Sequence, residues 1–265
     1  MAKVDLSQAV SSNLLTLQRT SSLIGVTQTR LSTGLKVNSA IDDAAAFFTA
    51  KALGNNAKDF DALKSNIDLA ISTIQAAIDG IDAISELVNQ AKGLASNAKA
   101  TGNTNERSTL AVQFNELLGQ IDTIANDSSF NGTNLLQATP DNLAVEFNTD
   151  NTSNLTITGL DSTTASTGIN LAAATNNFTD TAAIDTALTA ISAALTSLRS
   201  NASTLGSRNT ILATRLDFTE NLVNTLEGGE GKLTLADLNA ESANLLALQT
   251  RQQLGINSLA LAAQS

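Results

Sequence analysis

The sequence predicts a mainly α protein: a long antiparallel helical bundle or coiled coil with paired terminal helices and a small β-hairpin region. The first observation behind this is a heptad comb across residues 184–226. Ile184, Leu188, Ile191, Leu195, Leu198, Ala202, Leu205, Asn209, Leu212, Leu216, Thr219, Val223 and Leu226 step alternately by four and three, and only Asn209 and Thr219 are polar. A spacing averaging 3.5 residues keeps one seam facing a partner, and at ~1.5 Å per residue the helix spans roughly 65 Å. The alternative, two ordinary helices broken near Gly206, is disfavoured because the comb keeps its phase across that glycine. The second observation is composition: one Pro, 15 Gly and 42% hydrophobic residues, mostly Ala, Leu and Ile, suit long helices. The third is that both ends of the chain carry combs with very little charge.

Composition also excludes functions. The chain has no Cys, His, Trp or Tyr, which removes disulfides, thiolate and imidazole metal ligands, and every catalytic triad or dyad that needs His or Cys. No cofactor is expected. The formal charge of −10 is unevenly spread: residues 1–58 carry six Lys or Arg against three Asp, residues 59–231 seven against twenty acids, and residues 232–265 two against two. An acidic middle argues against nucleic acid and anionic membrane as partners, since both present negative surfaces. No uninterrupted apolar run approaches the ~20 residues of a membrane span, and residues 1–5 lack the apolar core of a secretory signal.

From the N-terminus, a comb runs through Val10, Leu14, Leu17, Ser21, Ile24, Gln28, Leu31 and Leu35, and between Asp5 and Lys36 the only charges are Arg19 and Arg30. A helix this poorly charged belongs inside an assembly. It should end at Thr33-Gly34. Ser39 and Asp42 then fit a capping box for a new helix. Asp42 and Asp43 read as helix-start charges, because nothing nearby completes a carboxylate-pair site.

The second helix is expected over about 44–98, with an interruption at Gly54-Asn55-Asn56, and its seam is Phe60, Leu63, Ile67, Ile71, Ile74, Ile78, Ile81, Ile84 and Val88. After a turn at 101–104, a third helix carries Leu110, Phe114, Leu117, Ile121 and Ile124 and closes at 126–129. Asn131-Gly132 is a tight-turn pair, and residues 143–147 and 155–158 alternate with period two, which reads as a hairpin. From 148 to 181, nineteen of thirty-four residues are Ser, Thr or Asn, the composition of a solvated surface. Residues 227–231, EGGEG, read as a flexible break that lacks the setting of a phosphate loop. Thr234 and Asp237 fit a second capping box. The last helix places Leu238, Leu245, Ile256 and Leu259 on one face, widened by Leu248, Leu254 and Leu261.

Four stretches carry a family resemblance: LSTGLKVNSAIDDAAA at 31–46, SFNGTNLL at 129–136, LGSRN at 205–209 and TLADLNAESANLLALQTRQQLG at 234–255. In this order they resemble the bacterial flagellins. The resemblance implies an inner-core helix at 1–40, core bundle helices at 41–136, a hairpin and variable surface segment at 137–183, a long core helix at 184–231, and a second inner-core helix at 232–265. It implies a subunit exported through the flagellar type III apparatus without a cleaved signal. Self-assembly into a helical homopolymer should follow, with hook–filament junction and cap proteins as partners and an export chaperone on the C-terminal part. The expected assembly seam is Leu14, Leu17, Ile24 and Leu31 with Leu238, Leu245, Ile256 and Leu259. A hook–filament junction protein, and an exported helical binding module or adhesin, are the alternatives.

The sequence also departs from that family's pattern. Ala46 stands where many members have Gly, and Phe47-Phe48 is bulkier than usual. The chain stops at Ser265, short of the last apolar turns typical of the family, which implies a shorter inner tube or a trimmed sequence. Only a small segment lies between Leu136 and Ala183, so large outer domains are not expected. In flagellins detected by the vertebrate innate flagellin receptor, an Arg, a Glu and a second Arg mark two middle helices. Here the matching positions are Gln90, Gln113 and Leu117, and only Leu94 agrees.

Overall fold

The computed structural model describes residues 8–262. The elements are α1 (Gln8–Thr33), α2 (Ala44–Ala100), α3 (Thr104–Asp127), β1 (Ser129–Phe130), β2 (Thr133–Asn134), β3 (Asn142–Glu146), β4 (Asn154–Thr158), α4 (Thr181–Thr234) and α5 (Leu238–Ala262). The described residues fall into two compact units: residues 8–58 with 223–262, and residues 59–222.

The second unit holds the hydrophobic core. From α2 come Ile67, Ile74, Ile81, Ile84 and Val88, from α3 Phe114, Leu118 and Ile121, and from α4 Ile184, Ile191, Leu195, Leu198, Leu205 and Leu212. Alanines at 77, 91, 95, 111, 125 and 194 fill the intervening buried places, so the helices approach closely. The α4 comb is buried or half-buried at every predicted position, and α4 does not break at Gly206. By length and composition α4 is the one described helix apolar enough to cross a membrane, a property the count of uninterrupted apolar runs overlooked. Here its Ile184, Ile191 and Leu198 are fully buried in the core.

Two helix interruptions expected from the sequence are absent. α2 runs through Gly54-Asn55-Asn56, and α4 runs through residues 227–231. A Cβ on Gly54 would lie 2.6 Å from Glu230 Oε2, and one on Gly229 would lie 3.2 Å from Leu53 Cδ1. At Gly54 and Gly229 α2 and α4 pass close together, so a side chain at either would have to displace Glu230 or Leu53, and this packing offsets the ~1 kcal/mol helix penalty of a glycine there.

The two capping boxes form differently from the expectation. Asp42 Oδ2 accepts from the amides of Asn38 and Ser39 at 3.1 and 2.9 Å, and the Ser39 hydroxyl donates to it. That closes a turn ahead of α2, whose N-terminus is capped by Asp43, accepting from Ala46 N at 3.0 Å. Thr234 ends α4, with its hydroxyl donating to Glu230 O, and Asp237 caps α5 by accepting from Asn239 N and Ala240 N.

The connection from α3 to α4 is built around Asn134, which is buried. Its side-chain amide donates to the α3 carbonyls of Ala125 and Asn126, and its Oδ1 accepts from Leu136 N and Gln137 N. Asn131 (φ 50°) and Gly132 (φ 80°) turn the chain between β1 and β2 in the left-handed region that Asn-Gly favours. β3 and β4 form the predicted antiparallel hairpin, pairing Leu143 with Ile157 and Val145 with Leu155.

Residues 148–181 are not merely a solvated surface, however. Ile157, Ser162, Thr163, Ile169, Leu171 and Phe178 are buried, and the Phe178 ring meets Phe114 edge-on at 5.2 Å. The segment is stitched to α3, where Asp122 accepts from Thr164 N and Oγ1 and Asn115 accepts from Ala174 N.

Candidate assembly surface

In the first unit α1 and α5 pack along one another. Beyond the end of α1, Gly34 at φ 73° turns the chain. Lys36 N then donates to Thr234 O at 2.8 Å and Ala236 N to Gly34 O at 2.9 Å, which fixes the start of α5 against the end of α1. One turn further in, Arg30 Nη1 meets Glu241 Oε1 at 3.0 Å. Farther along, Leu17 lies over Gly255, so close that a Cβ there would be 2.7 Å from Leu17 Cδ2.

The less exposed face of α1 is Val10, Asn13, Leu17, Thr20, Ile24, Thr27 and Leu31, and that of α5 is Glu241, Leu245, Leu248, Gln252, Gly255 and Leu259. Both follow alternating steps of three and four, so the coiled-coil period is present. What it buries is unusual. The fully buried side chains of this face are Thr20, Thr27 and Glu241, exposed by 3%, 6% and 8%. Both threonines lie in α1, and the Thr20 hydroxyl donates to Thr16 O four residues back, so it is satisfied within its own helix.

The predicted seam residues therefore divide. Leu17, Ile24, Leu31, Leu245 and Leu259 are half-buried on the facing sides, whereas Leu14, Leu238 and Ile256 are exposed. Leu15, Leu23, Val26, Leu246, Leu254 and Leu261 are also exposed, the last three by 66%, 65% and 70%. The comb through Leu14, Ser21 and Gln28 is one position out of phase with the inward Asn13, Thr20 and Thr27.

Around the turn before α2, Asp42 carries the clearest electrostatic shift. The amides of Ser39 and Asn38, the Ser39 hydroxyl and the charge of Arg30 hold its carboxyl below the ordinary value of 3.8. Hydrogen bonds to the charged form, helped by a nearby cation, outweigh an opposing desolvation, and nothing in the turn suggests acid–base chemistry.

In the second unit, the structure brings Gln90, Leu94, Gln113 and Leu117 into one groove of about 650 Å³ between α2 and α3, together with Gly93, Asn97, Glu116 and Gln120. Leu117 is half-buried because the deepest stripe of α3 is Ala111, Phe114, Leu118, Ile121 and Ala125, shifted by one at alternate positions from the predicted comb.

These helices match the family model of the bacterial flagellin N-terminal helical region over residues 5–141, and that of the C-terminal helical region over residues 188–265. The chain belongs to the bacterial flagellin family. It is 35% identical to flagellin FljM of Caulobacter vibrioides, over 90% of this chain and 86% of that protein. It is 30% identical to a flagellin of Brucella melitensis over 100% of this chain and 96% of that one. The crystal structure of Bacillus cereus flagellin shares the fold, with a TM-score of 0.51 and 22% identity over 58% of this chain and 88% of that one. The chain is accordingly a structural subunit of the flagellar filament, which it builds by self-polymerisation, and not an enzyme. The filament lies outside the cell. The exported binding module weighed from the sequence is set aside.

Proposed function

We propose that the outward faces of α1 and α5 are the surfaces by which each copy packs against its neighbours in the filament, as an inner layer of terminal helices. One observation carries this reading. Of the sixteen large hydrophobic side chains exposed among the described residues, twelve belong to the first unit: Leu14, Leu15, Leu23, Val26, Ile41, Phe48, Leu235, Leu238, Leu246, Leu254, Ile256 and Leu261. Nine of the twelve lie on α1 and α5, and so much apolar surface on two nearly uncharged helices calls for an apolar cover, which in a homopolymer is another copy. Secretion through the flagellar export apparatus belongs to the same proposal, as do a chaperone on the C-terminal part and junction and cap proteins at the filament ends. Leu246→Asp or Leu254→Asp leaves the monomer's melting curve unchanged, because either side chain is already in water, yet abolishes seeded filament growth seen by electron microscopy. Normal filaments from both variants would mean that these faces stay wet.

The groove of Gln90, Leu94, Gln113 and Leu117 supports a second statement, that this chain escapes the vertebrate innate flagellin receptor. An Arg supplies a rigid fork of donors that Gln and Leu lack, and losing a central Arg contact at an interface commonly costs ~2 kcal/mol or more. Monomer should leave reporter cells silent, and the triple variant Gln90→Arg, Gln113→Glu, Leu117→Arg should recover part of the signal. Strong activation by the parent chain overturns the assignment.

A further inference from the structure

Both facing stripes in the first unit repeat every seven residues. Sliding α5 by one heptad along α1 would keep the stripes in phase, and Leu248, opposite Ile24 in the observed register, would meet Leu17 or Leu31 instead. Apolar burial is therefore a weak determinant of register in this pair. Two contacts do not repeat. Glu241 is the only buried charged side chain among the described residues, and Arg30 is its partner. Gly255 is the one place in the pair where a leucine knob has no room for an opposing Cβ, since Gly25 of α1 has nothing within 4 Å of the corresponding position.

We infer that Arg30–Glu241 and Leu17–Gly255 act as two pins, one electrostatic and one steric, that set the register of α1 on α5. A slip of one heptad in one direction puts Leu17 on Leu248 and Arg30 opposite Thr234. In the other direction it carries Leu17 to Ala262 and Arg30 to Leu248. Either slip strands Glu241 without its cation, and a carboxylate shielded from water is strongly disfavoured when unpaired. Either slip also replaces the glycine under Leu17 by a residue with a side chain. The two pins lie thirteen residues apart on α1 and fourteen on α5. They thus fix translation at two separated levels. The role resembles that of a single polar residue in a coiled-coil seam, which specifies register and contributes little to stability.

The chain has no cysteine, so engineered disulfides report register without background. In the observed register Thr20 faces Gln252, and in the two slipped registers it faces Leu245 or Leu259. Filaments of full-length chain carrying Thr20→Cys are paired with Gln252→Cys, Leu245→Cys or Leu259→Cys and oxidised. The expected result is a disulfide only with position 252. Adding Gly255→Leu and Glu241→Leu, which makes the α5 stripe uniformly apolar, shifts the disulfide to position 245 or 259. Retention of the parental pattern in that variant overturns the inference.

Should the variant not assemble, two swaps decide the matter. Leu17→Ala with Gly255→Leu exchanges knob and hole, and Arg30→Glu with Glu241→Arg reverses the pair. Each swap restores filaments and the 252 disulfide if the pins act on one another, while failure of both to restore them counts against the inference. It depends on the proposed outer faces only for its filament assay. Failure of those faces shows as filament yield in the Leu246 and Leu254 variants, whereas failure of the pins shows as which disulfide forms.

Discussion

The two units obey opposite rules of burial. In the second, the helical combs turn their isoleucines, leucines and phenylalanines toward one another, and every member of the large core cluster lies between residues 67 and 212. In the first, two helices with the same period bury two threonines and a glutamate while leucines face outward. Their sequences are about equally apolar, so hydrophobicity alone does not distinguish them. On the proposed function, the difference lies in where the stabilising contacts are made: within the chain for the second unit, and between chains for the first.

The largest expected effect tests the inward rule. Phe114 is fully buried and packs edge-on with Phe178. Phe114→Ala should cost about 3–5 kcal/mol of monomer stability in a denaturant melt. A loss below about 1 kcal/mol would mean that residues 160–178 are not part of the core they plug.

The next effect separates the units. Leu17→Asp or Leu245→Asp puts a charge into the half-buried face of the helix pair, at several kcal/mol in an assembled lattice. Melting of the second unit should be unchanged and polymerisation lost, as judged by sedimentation after seeding. A matching observation is brief proteolysis of monomer, which should trim both ends and leave a core near residues 45–230. Equal protection of the termini in monomer and filament would show that the first unit is stable alone.

The smallest effect is on pH. Because the folded pKa of Asp42 is depressed, its contribution is present above the unfolded value of 3.8 and is lost as pH falls through the lower folded value. Amide exchange at Asn38 and Ser39 should therefore accelerate in acid below that range. Asp42→Asn should exchange quickly at neutral pH and lose the acid response. An acid response that survives in Asp42→Asn would place the titrating group elsewhere.

How much of this was legible in sequence follows from the same contrast. The α4 comb was readable because in the second unit apolar periodicity and burial coincide. In α1 they do not: choosing apolar positions selected Leu14, whereas the chain turns Asn13, Thr20 and Thr27 inward, and no monomer-based pattern rule expects that. The segment after β4 was concealed by its polar composition. Its three anchors, Ile169, Leu171 and Phe178, are isolated among Ser, Thr and Asn, and its polar groups are satisfied by local bonds such as the Thr163 hydroxyl to Asp161 Oδ1 at 2.6 Å. Gly229 was misread because a break and a close helix crossing use the same residue, and only the partner, here Leu53, distinguishes them. The groove was different again. Its four residues were chosen by resemblance, and the antiparallel α2–α3 packing places them side by side.

The outward leucines of α1 and α5 also bear on how growth begins. They lie on more than one side of each helix, so a first encounter between two free copies covers only a fraction of them, while both copies lose their conformational freedom. A copy arriving at an existing end has several surfaces covered at once. Elongation should then be favourable at concentrations where spontaneous nucleation is negligible, giving a long lag, a sharp critical concentration and abolition of the lag by fragments of preformed filament.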